Sequence, residues 1–236
     1  VKIKYSDKDK VLIPYLLSQM ALLEPTTQAY FESVERLDNF DAVIATGSDN
    51  SSRYFDHYFS QYPNIIRKNR NSVAALSGEE TTEEIEMLRE DIFRYYGLGC
   101  RSVSKLYVPR DYDFMQFMGV MDNYIEQMNH NKYINNYDYN RSVYLLNSVE
   151  HLANEIITLI EHPSLLSRIS TLHYEYYDNL EELVEKINTD SEKLQCVVSN
   201  LNLPSIQKVN FGESQQPSLS DYADNVDTIE FLLSIG

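Results

Sequence analysis

The sequence predicts an α/β fold built on a mostly parallel sheet. Short apolar runs alternate along the chain with longer segments of helical periodicity, which is the pattern of strand–helix–strand units. Hydrophobic residues make up 43% of the chain, so a packed core is expected rather than disorder. The 236 residues leave room for one large domain or two small ones.

Val1 to Tyr5 alternates apolar and polar residues and reads as a strand. Residues 8–23 place Val11, Leu12, Tyr15, Leu16, Met20 and Leu23 at helical spacing behind the capping residues Ser6 and Asp7. Residues 41–45 form a short apolar strand that runs into the polar turn Thr46 to Ser52, rich in helix-capping side chains. A helix over 53–61 follows, with Tyr54, Phe55, Tyr58 and Phe59 on one side. Strands are expected at 64–67 and 72–76. Past a polar junction at 78–82 come a helix over 83–96 and a strand over 104–108 stopped by Pro109. The spacing then predicts helices at 113–128 and 137–150, strands near 155–160 and 169–177, a helix at 179–187 and a strand at 194–198. The Asn- and Tyr-rich stretch 128–144 reads as a polar face or an irregular loop over the core. A loop around Phe211-Gly212 and a last segment over 227–235 complete the chain, which shows no internal repeat.

The net charge is −16, from 36 acidic and 20 basic residues. That argues against a nucleic-acid binder, because phosphate contacts need clustered Lys and Arg. No apolar run approaches the roughly 20 residues of a membrane span. Two distant cysteines, Cys100 and Cys196, do not make a disulfide scaffold, so a reducing, cytoplasmic setting is expected. The five histidines show no metal-ligand spacing with each other or with the cysteines. There is no G-x-S-x-G elbow. The chain opens directly on a strand, Val1-Lys2-Ile3-Lys4, without a signal peptide. The expectation is that it starts inside a longer protein.

Cys100 follows Gly97-Leu98-Gly99 and precedes Arg101. Glycines let the backbone turn tightly and approach a ligand. A helical turn starting there would offer N–H groups to an oxyanion and favour the thiolate, the reactive form of the side chain. On residue chemistry alone, a structural cysteine buried in a tight turn is the commoner outcome. Thr46-Gly47-Ser48 is either an anion-binding turn at a helix start or an ordinary capped turn. Lys4 is either a ribose or phosphate contact or a solvated lysine. Cys196, flanked by apolar residues in a strand pattern, reads as core.

Three runs change these odds. They are Phe40 to Ser48, Ile65 to Ala74, and Asp91-Ile92-Phe93-Arg94-Tyr95-Tyr96-Gly97-Leu98-Gly99-Cys100-Arg101 continuing to Pro109. Together they closely resemble the acyl-CoA reductase family of LuxC-like fatty-acid reductases, within the aldehyde dehydrogenase superfamily. Asp221 to Thr228 looks like that family's closing segment. The resemblance implies an aldehyde-dehydrogenase-like fold. Residues 1–77 would be part of a nucleotide-binding parallel sheet, 78–210 an α/β catalytic cysteine domain, and 211–236 a segment returning to the domain interface. Cys100 matches the catalytic cysteine, with Gly99 and Cys100 in its oxyanion loop. Lys4, Thr46, Gly47 and Ser48 match cofactor-binding positions, and Phe211-Gly212 resembles a late Phe-Gly pair near the active site.

Two departures matter. Aldehyde-oxidising relatives carry a glutamate general base upstream of the cysteine, and Ile66 falls near its place. An apolar residue cannot activate water, which fits thioester exchange with coenzyme A rather than hydrolysis. The family's first nucleotide-binding strands and an Asn-containing oxyanion loop have no counterpart here. The implied activity is reduction of an acyl-CoA to an aldehyde through a thioacyl-cysteine. NADP(H), or else NAD(H), is the implied cofactor and coenzyme A the acyl carrier. Implied partners are further copies of the chain and an acyl-transferring enzyme. An inactive fragment, an aldehyde-oxidising dehydrogenase and a binding module without chemistry stand as alternatives.

Overall fold

The computed structural model describes residues 1–47 and 49–235. They form two compact units, Val1–Arg67 with the tail from Ser234, and Lys68–Leu233. The division falls ahead of residue 77, because the strand at 71–75 pairs into the sheet of the second unit.

The first unit holds β1 (Lys2–Ile3), α1 (Leu12–Leu23), β2 (Glu32–Ser33), β3 (Val43–Thr46), α2 (Asp49–Phe59) and β4 (Asn64–Arg67). β1 pairs with β2 and β3 with β4, both in parallel. α1 begins later than the periodicity predicts. Pro14 has no N–H to give a helix interior and is tolerated only in the first turn, so the α-helix starts at Leu12 and a short 3₁₀ turn fills Asp7–Asp9.

The second unit holds β5 (Asn71–Ala75), α3 (Thr82–Phe93), β6 (Val103–Pro109), α4 (Phe114–Asp122), α5 (Ile125–Met128), α6 (Asn131–Leu146), β7 (Leu152–Ala153), β8 (Thr158–Glu161), β9 (Thr171–Tyr177), α7 (Leu180–Thr189), β10 (Leu194–Val198), β11 (Lys208–Val209) and α8 (Thr228–Leu233). Its seven-stranded sheet runs β11-β10-β5-β6-β9-β8-β7. Every pairing is parallel except that of β7 with β8. The α/β class with a parallel-rich sheet is as expected. α3 starts on a capping box in which Thr81 Oγ1 accepts from the Glu84 N–H and Glu84 Oε2 accepts from the Thr81 N–H, at 3.2 and 2.9 Å.

α6 begins six residues earlier than predicted, inside the Asn- and Tyr-rich stretch. Tyr133, Tyr137, Asn140 and Tyr144 lie on one buried face of it, and each polar head finds a partner. Tyr133 donates to the Ile156 carbonyl at 2.8 Å, Tyr137 to the Asn154 carbonyl, and Asn140 to the Ile169 carbonyl at 2.9 Å, while Tyr144 meets the Thr171 hydroxyl at 3.2 Å. A face that looks polar by composition is therefore part of the core, because its hydrogen bonds are made internally.

Strand side chains alternate between the two sheet faces. One face gives Ala74, Leu106, Leu172 and Val198 to a cluster with Leu88 and Ile92 of α3 and Phe117 and Met121 of α4. The other gives Val73, Ala75, Tyr107 and Tyr177 to a cluster with Leu183 and Ile187 of α7. Lys105 of central β6 points to this second face and is 1% exposed. Its Nζ meets Glu175 Oε2 of β9 and the Pro163 carbonyl, each at 2.7 Å, and stands 4.8 Å from the Tyr107 ring centroid. Lys186 of α7 meets the other carboxylate oxygen at 2.7 Å.

Burial pushes the Glu175 carboxyl pKa up, but hydrogen bonds and charge from Lys105 and Lys186 more than reverse this and hold it below the ordinary 4.5. A depressed carboxyl pKa contributes stability that is present above the unfolded value and is lost as pH falls through the folded one. Glu175→Ala leaves a buried ammonium without its counter-charge and should cost about 3–5 kcal/mol at pH 7, read as a lower urea midpoint. The gap to wild type should narrow below about pH 4.5, where the wild-type carboxylate is itself titrating. An unchanged midpoint at pH 7 would show that the pair does not support the sheet.

Candidate active site

Cys100 lies where α3 hands over to β6. α3 ends at Phe93, and Arg94–Gly97 forms a 3₁₀ turn in which Tyr95, Tyr96 and Gly97 take left-handed φ values of 56°, 59° and 69°. This stops the helix expected to reach Tyr96. Residues 98–102 then make a tight turn, closed by the Ser102 N–H donating to the Gly99 carbonyl at 3.0 Å, and the chain enters β6 at Val103. Cys100 is thus exposed, after a helix and before a strand. It does not begin a helical turn, so no helix N-terminus stands behind it. Among the described residues, no carbonyl accepts the Cys100 N–H.

Three anchors hold this turn. The Ser72 hydroxyl of β5 donates to the Cys100 carbonyl at 2.9 Å. The Arg101 Nε–H donates to the Ser214 carbonyl. The Gln215 side-chain amide donates to the Ser102 hydroxyl at 3.3 Å. A Cβ on Gly99 would sit 3.3 Å from that same hydroxyl. The segment carrying Ser214 and Gln215 begins with Phe211, buried in the core, and Gly212, with φ of 81°. The Phe211-Gly212 pair is therefore brought onto the cysteine turn through the two residues that follow Glu213.

Behind that segment lies Asp91, fully buried in the last turn of α3. Its carboxylate accepts the Gly212 N–H at 2.6 Å and the Ser214 N–H at 2.9 Å. Burial raises its pKa against the pull of the Ser214 side chain and of these two N–H groups. Ser72, Asp91 and Gln215 were not singled out from the sequence, and Arg101 was singled out only as a positive charge next to Cys100. For Asp91 a signal existed, since it shares the apolar face of α3 with Ile85, Leu88 and Ile92, and a carboxylate among such residues needs partners.

Cys196, expected in the core, packs against the main core cluster but is only half-buried. The β10–β5 register shifts between Leu194 and Cys196, and the half-buried thiol stands 3.0 Å from the Ser72 hydroxyl. Burial raises its pKa. It lines a cavity of about 440 Å³ together with Arg101, Lys208 and Tyr222.

The remaining expected site residues belong to the first unit. Lys4 is exposed and follows the last residue of β1. Thr46 is exposed at the end of β3. The Gly47 N–H donates to the Arg67 carbonyl at 3.2 Å. Ser48 lies outside the described residues. Ile66 pairs with Ala45 in the β3–β4 ladder. Among the described residues, no group of three His, Cys, Asp or Glu side chains is placed to hold a metal.

No family model matches the sequence, and no curated protein matches it. Solved structures do. Across 84% of this chain and 50% of the other, it is similar to a point mutant of the P. syringae indole-3-acetaldehyde dehydrogenase in complex with NAD+ and IAA, with TM-score 0.60 and 11% identity. The fold is that of the aldehyde dehydrogenases. An NAD-dependent aldehyde dehydrogenase from Sinorhizobium meliloti gives TM-score 0.61 at 11% identity, covering 84% of this chain and 48% of that one. The substrate-bound Staphylococcus aureus AldH gives 0.54 at 17% identity, covering 84% and 51%. The chain spans about half the length of these structures.

Gly47, just past β3, stands close against α2. A Cβ there would lie 2.8 Å from Ser51 Cβ and 2.9 Å from the Phe55 ring. Gly47→Ala should overpack the turn and lower stability by about 1–3 kcal/mol, measured by chemical denaturation. Wild-type stability in this variant would mean that α2 does not press on the turn as described.

Proposed function

We propose that this chain is part of an acyl-CoA reductase of the aldehyde dehydrogenase superfamily, with Cys100 as its nucleophile. The observation that carries the reading is the Cys100 turn. It is an exposed thiol on a turn anchored by three hydrogen bonds, from β5 and from residues 214–215, at the entrance to the central strand, in the fold of NAD-dependent aldehyde dehydrogenases. The resemblance of 91–109 to acyl-CoA reductases supports the finer assignment, and so does Ile66 where a water-activating glutamate would stand.

In this reading the Cys100 thiolate attacks the thioester carbonyl of an acyl-CoA. The Cys100 N–H, which no described carbonyl takes up, is a donor for the developing oxyanion. The tetrahedral adduct collapses with loss of the coenzyme A thiolate, and the acyl group is left on Cys100. A nicotinamide cofactor, NADPH in the finer assignment, supplies the hydride that reduces this thioacyl group. Collapse of the resulting hemithioacetal returns the thiolate to Cys100 and releases the aldehyde. Lys4 and Thr46 fit a nucleotide-binding role, since each presents a polar side chain at the C-terminal end of a parallel strand, where open α/β sheets bind ligands. Gly47 and Ser48 complete the proposed cofactor turn. Assembly with further copies of the chain, and delivery of acyl groups by a partner enzyme, belong to the same proposal.

Aldehyde oxidation is the second reading, favoured by the names of the structures that share the fold. The two readings differ in what the acylated cysteine meets. Mixing the full-length enzyme with a long-chain acyl-CoA should release free coenzyme A and add one acyl group to Cys100 by peptide mass spectrometry. Cys100→Ala should abolish the adduct. Added NADPH should then convert the adduct to aldehyde, whereas an oxidising enzyme would instead turn over aldehyde and NAD+ to free acid. An adduct on a residue other than Cys100 would remove the proposed nucleophile.

A further inference from the structure

We infer that Asp91 is a positioning residue for Cys100, acting through the segment 212–214 and Arg101. The inference rests on the reading of Cys100 as the nucleophile.

A fully buried carboxylate is stable only with compensation. Among the described residues, no Lys or Arg forms an ion pair with Asp91. What compensates it is the 212–214 segment, through the Ser214 side chain and the two short hydrogen bonds from the Gly212 and Ser214 N–H groups. A side chain used only to cap its own helix would not reach across to a segment this distant in sequence. That segment lies directly on α3, since a Cβ on Gly212 would stand 3.2 Å from Met87 Cβ. Ser214 then works in two directions. Its N–H faces Asp91, and its carbonyl accepts from Arg101, the residue after the nucleophile. Gln215, next along, holds Ser102. The carboxylate thus fixes the wall against which both residues following Cys100 are fastened. The same carboxylate, by fixing the Ser214 N–H, restrains the peptide that follows, whose carbonyl accepts from the Arg101 Nε–H.

The geometry separates positioning from bulk stability. Asp91→Asn keeps the shape and removes the charge. Its NH₂ group then opposes one of the two N–H donors, so one of these loses its acceptor. The wall loosens while the apolar face of α3 is unchanged. The test is acylation of the full-length enzyme by a long-chain acyl-CoA, followed by peptide mass spectrometry, beside amide hydrogen exchange over residues 98–103. For Asp91→Asn we expect faster exchange in this turn, with the rest of β6 at wild-type rates, and an acylation rate about tenfold to a hundredfold lower in a folded protein. Arg101→Gln should show the same two changes, and the double variant should lose little more than either single one, because both residues act on one connection. Wild-type exchange and acylation in folded Asp91→Asn would overturn the inference. Should that variant not fold, Arg101→Gln decides, and wild-type behaviour there would overturn it equally. If the wild-type enzyme never takes an acyl group on Cys100, it is the nucleophile reading that fails, and the exchange over 98–103 still reports on Asp91.

Discussion

The second unit has to accommodate a lysine in the middle of its parallel sheet, 1% exposed. β6 is buried along nearly its whole length and paired on both edges, so Lys105 cannot extend to solvent. Its ammonium needs an opposite charge and further acceptors in place. Glu175 can provide the first only if β9 pairs with β6 in the observed register, which sets Lys105 beside His173 and Tyr107 beside Glu175. The Pro163 carbonyl can provide the second only if the loop after β8 folds back over the sheet. Lys186 then draws α7 onto the same carboxylate. One buried charge thereby ties together two strands, a loop and a helix. Apolar packing alone would tolerate neighbouring registers more readily than this arrangement does.

The same strand begins at the candidate nucleophile. Each connection that holds the Cys100 turn comes from an element packed on or beside β6: Ser72 from β5, and Ser214 and Gln215 from the segment lodged on α3. The sheet therefore supplies rigidity at one end of β6, and the turn converts it into a fixed place for one thiol. Cys196 belongs to the same neighbourhood, since the Ser72 hydroxyl touches both the Cys100 carbonyl and the Cys196 sulfur. What the two cysteines do not share is access, because Cys100 is exposed and Cys196 is half-buried.

Much of the second unit was legible because its strands are continuous apolar runs, as buried parallel strands are. The strand at 194–198 agrees residue for residue, and so does the strand at 64–67 in the first unit. Helix ends were read less well, for local reasons. Pro14 delays α1, and two left-handed tyrosines end α3. The Asn- and Tyr-rich face of α6 was misjudged because composition does not show that a tyrosine hydroxyl will find a carbonyl across the core. Cys196 packs against the core as its apolar strand setting implies, though the register shift beside it leaves it only half-buried. At the candidate site, the proposed nucleophile is singled out by its glycine-rich surroundings and the resemblance around them. Its supports were not, because Ser72, Ser214 and Gln215 act through contacts between residues far apart in the chain. Asp91 alone left a trace, as a carboxylate on an apolar helix face.

Tyr95 and Tyr96 hold backbone conformations that cost an L-residue about 1–2 kcal/mol each. The Tyr96 ring recovers part of this against His130, at 4.9 Å between centroids, whereas Tyr95 remains largely exposed. The short string from Tyr95 to Arg101 does not carry this shape by itself. Grafted onto another scaffold without α3 beneath it and the Ser214 segment beside it, it would relax to ordinary right-handed or extended backbone and lose the placement of its thiol. Matching those seven letters in another sequence would therefore identify a kinship but not a working nucleophile, because the reactive geometry belongs to the surrounding sheet and helices.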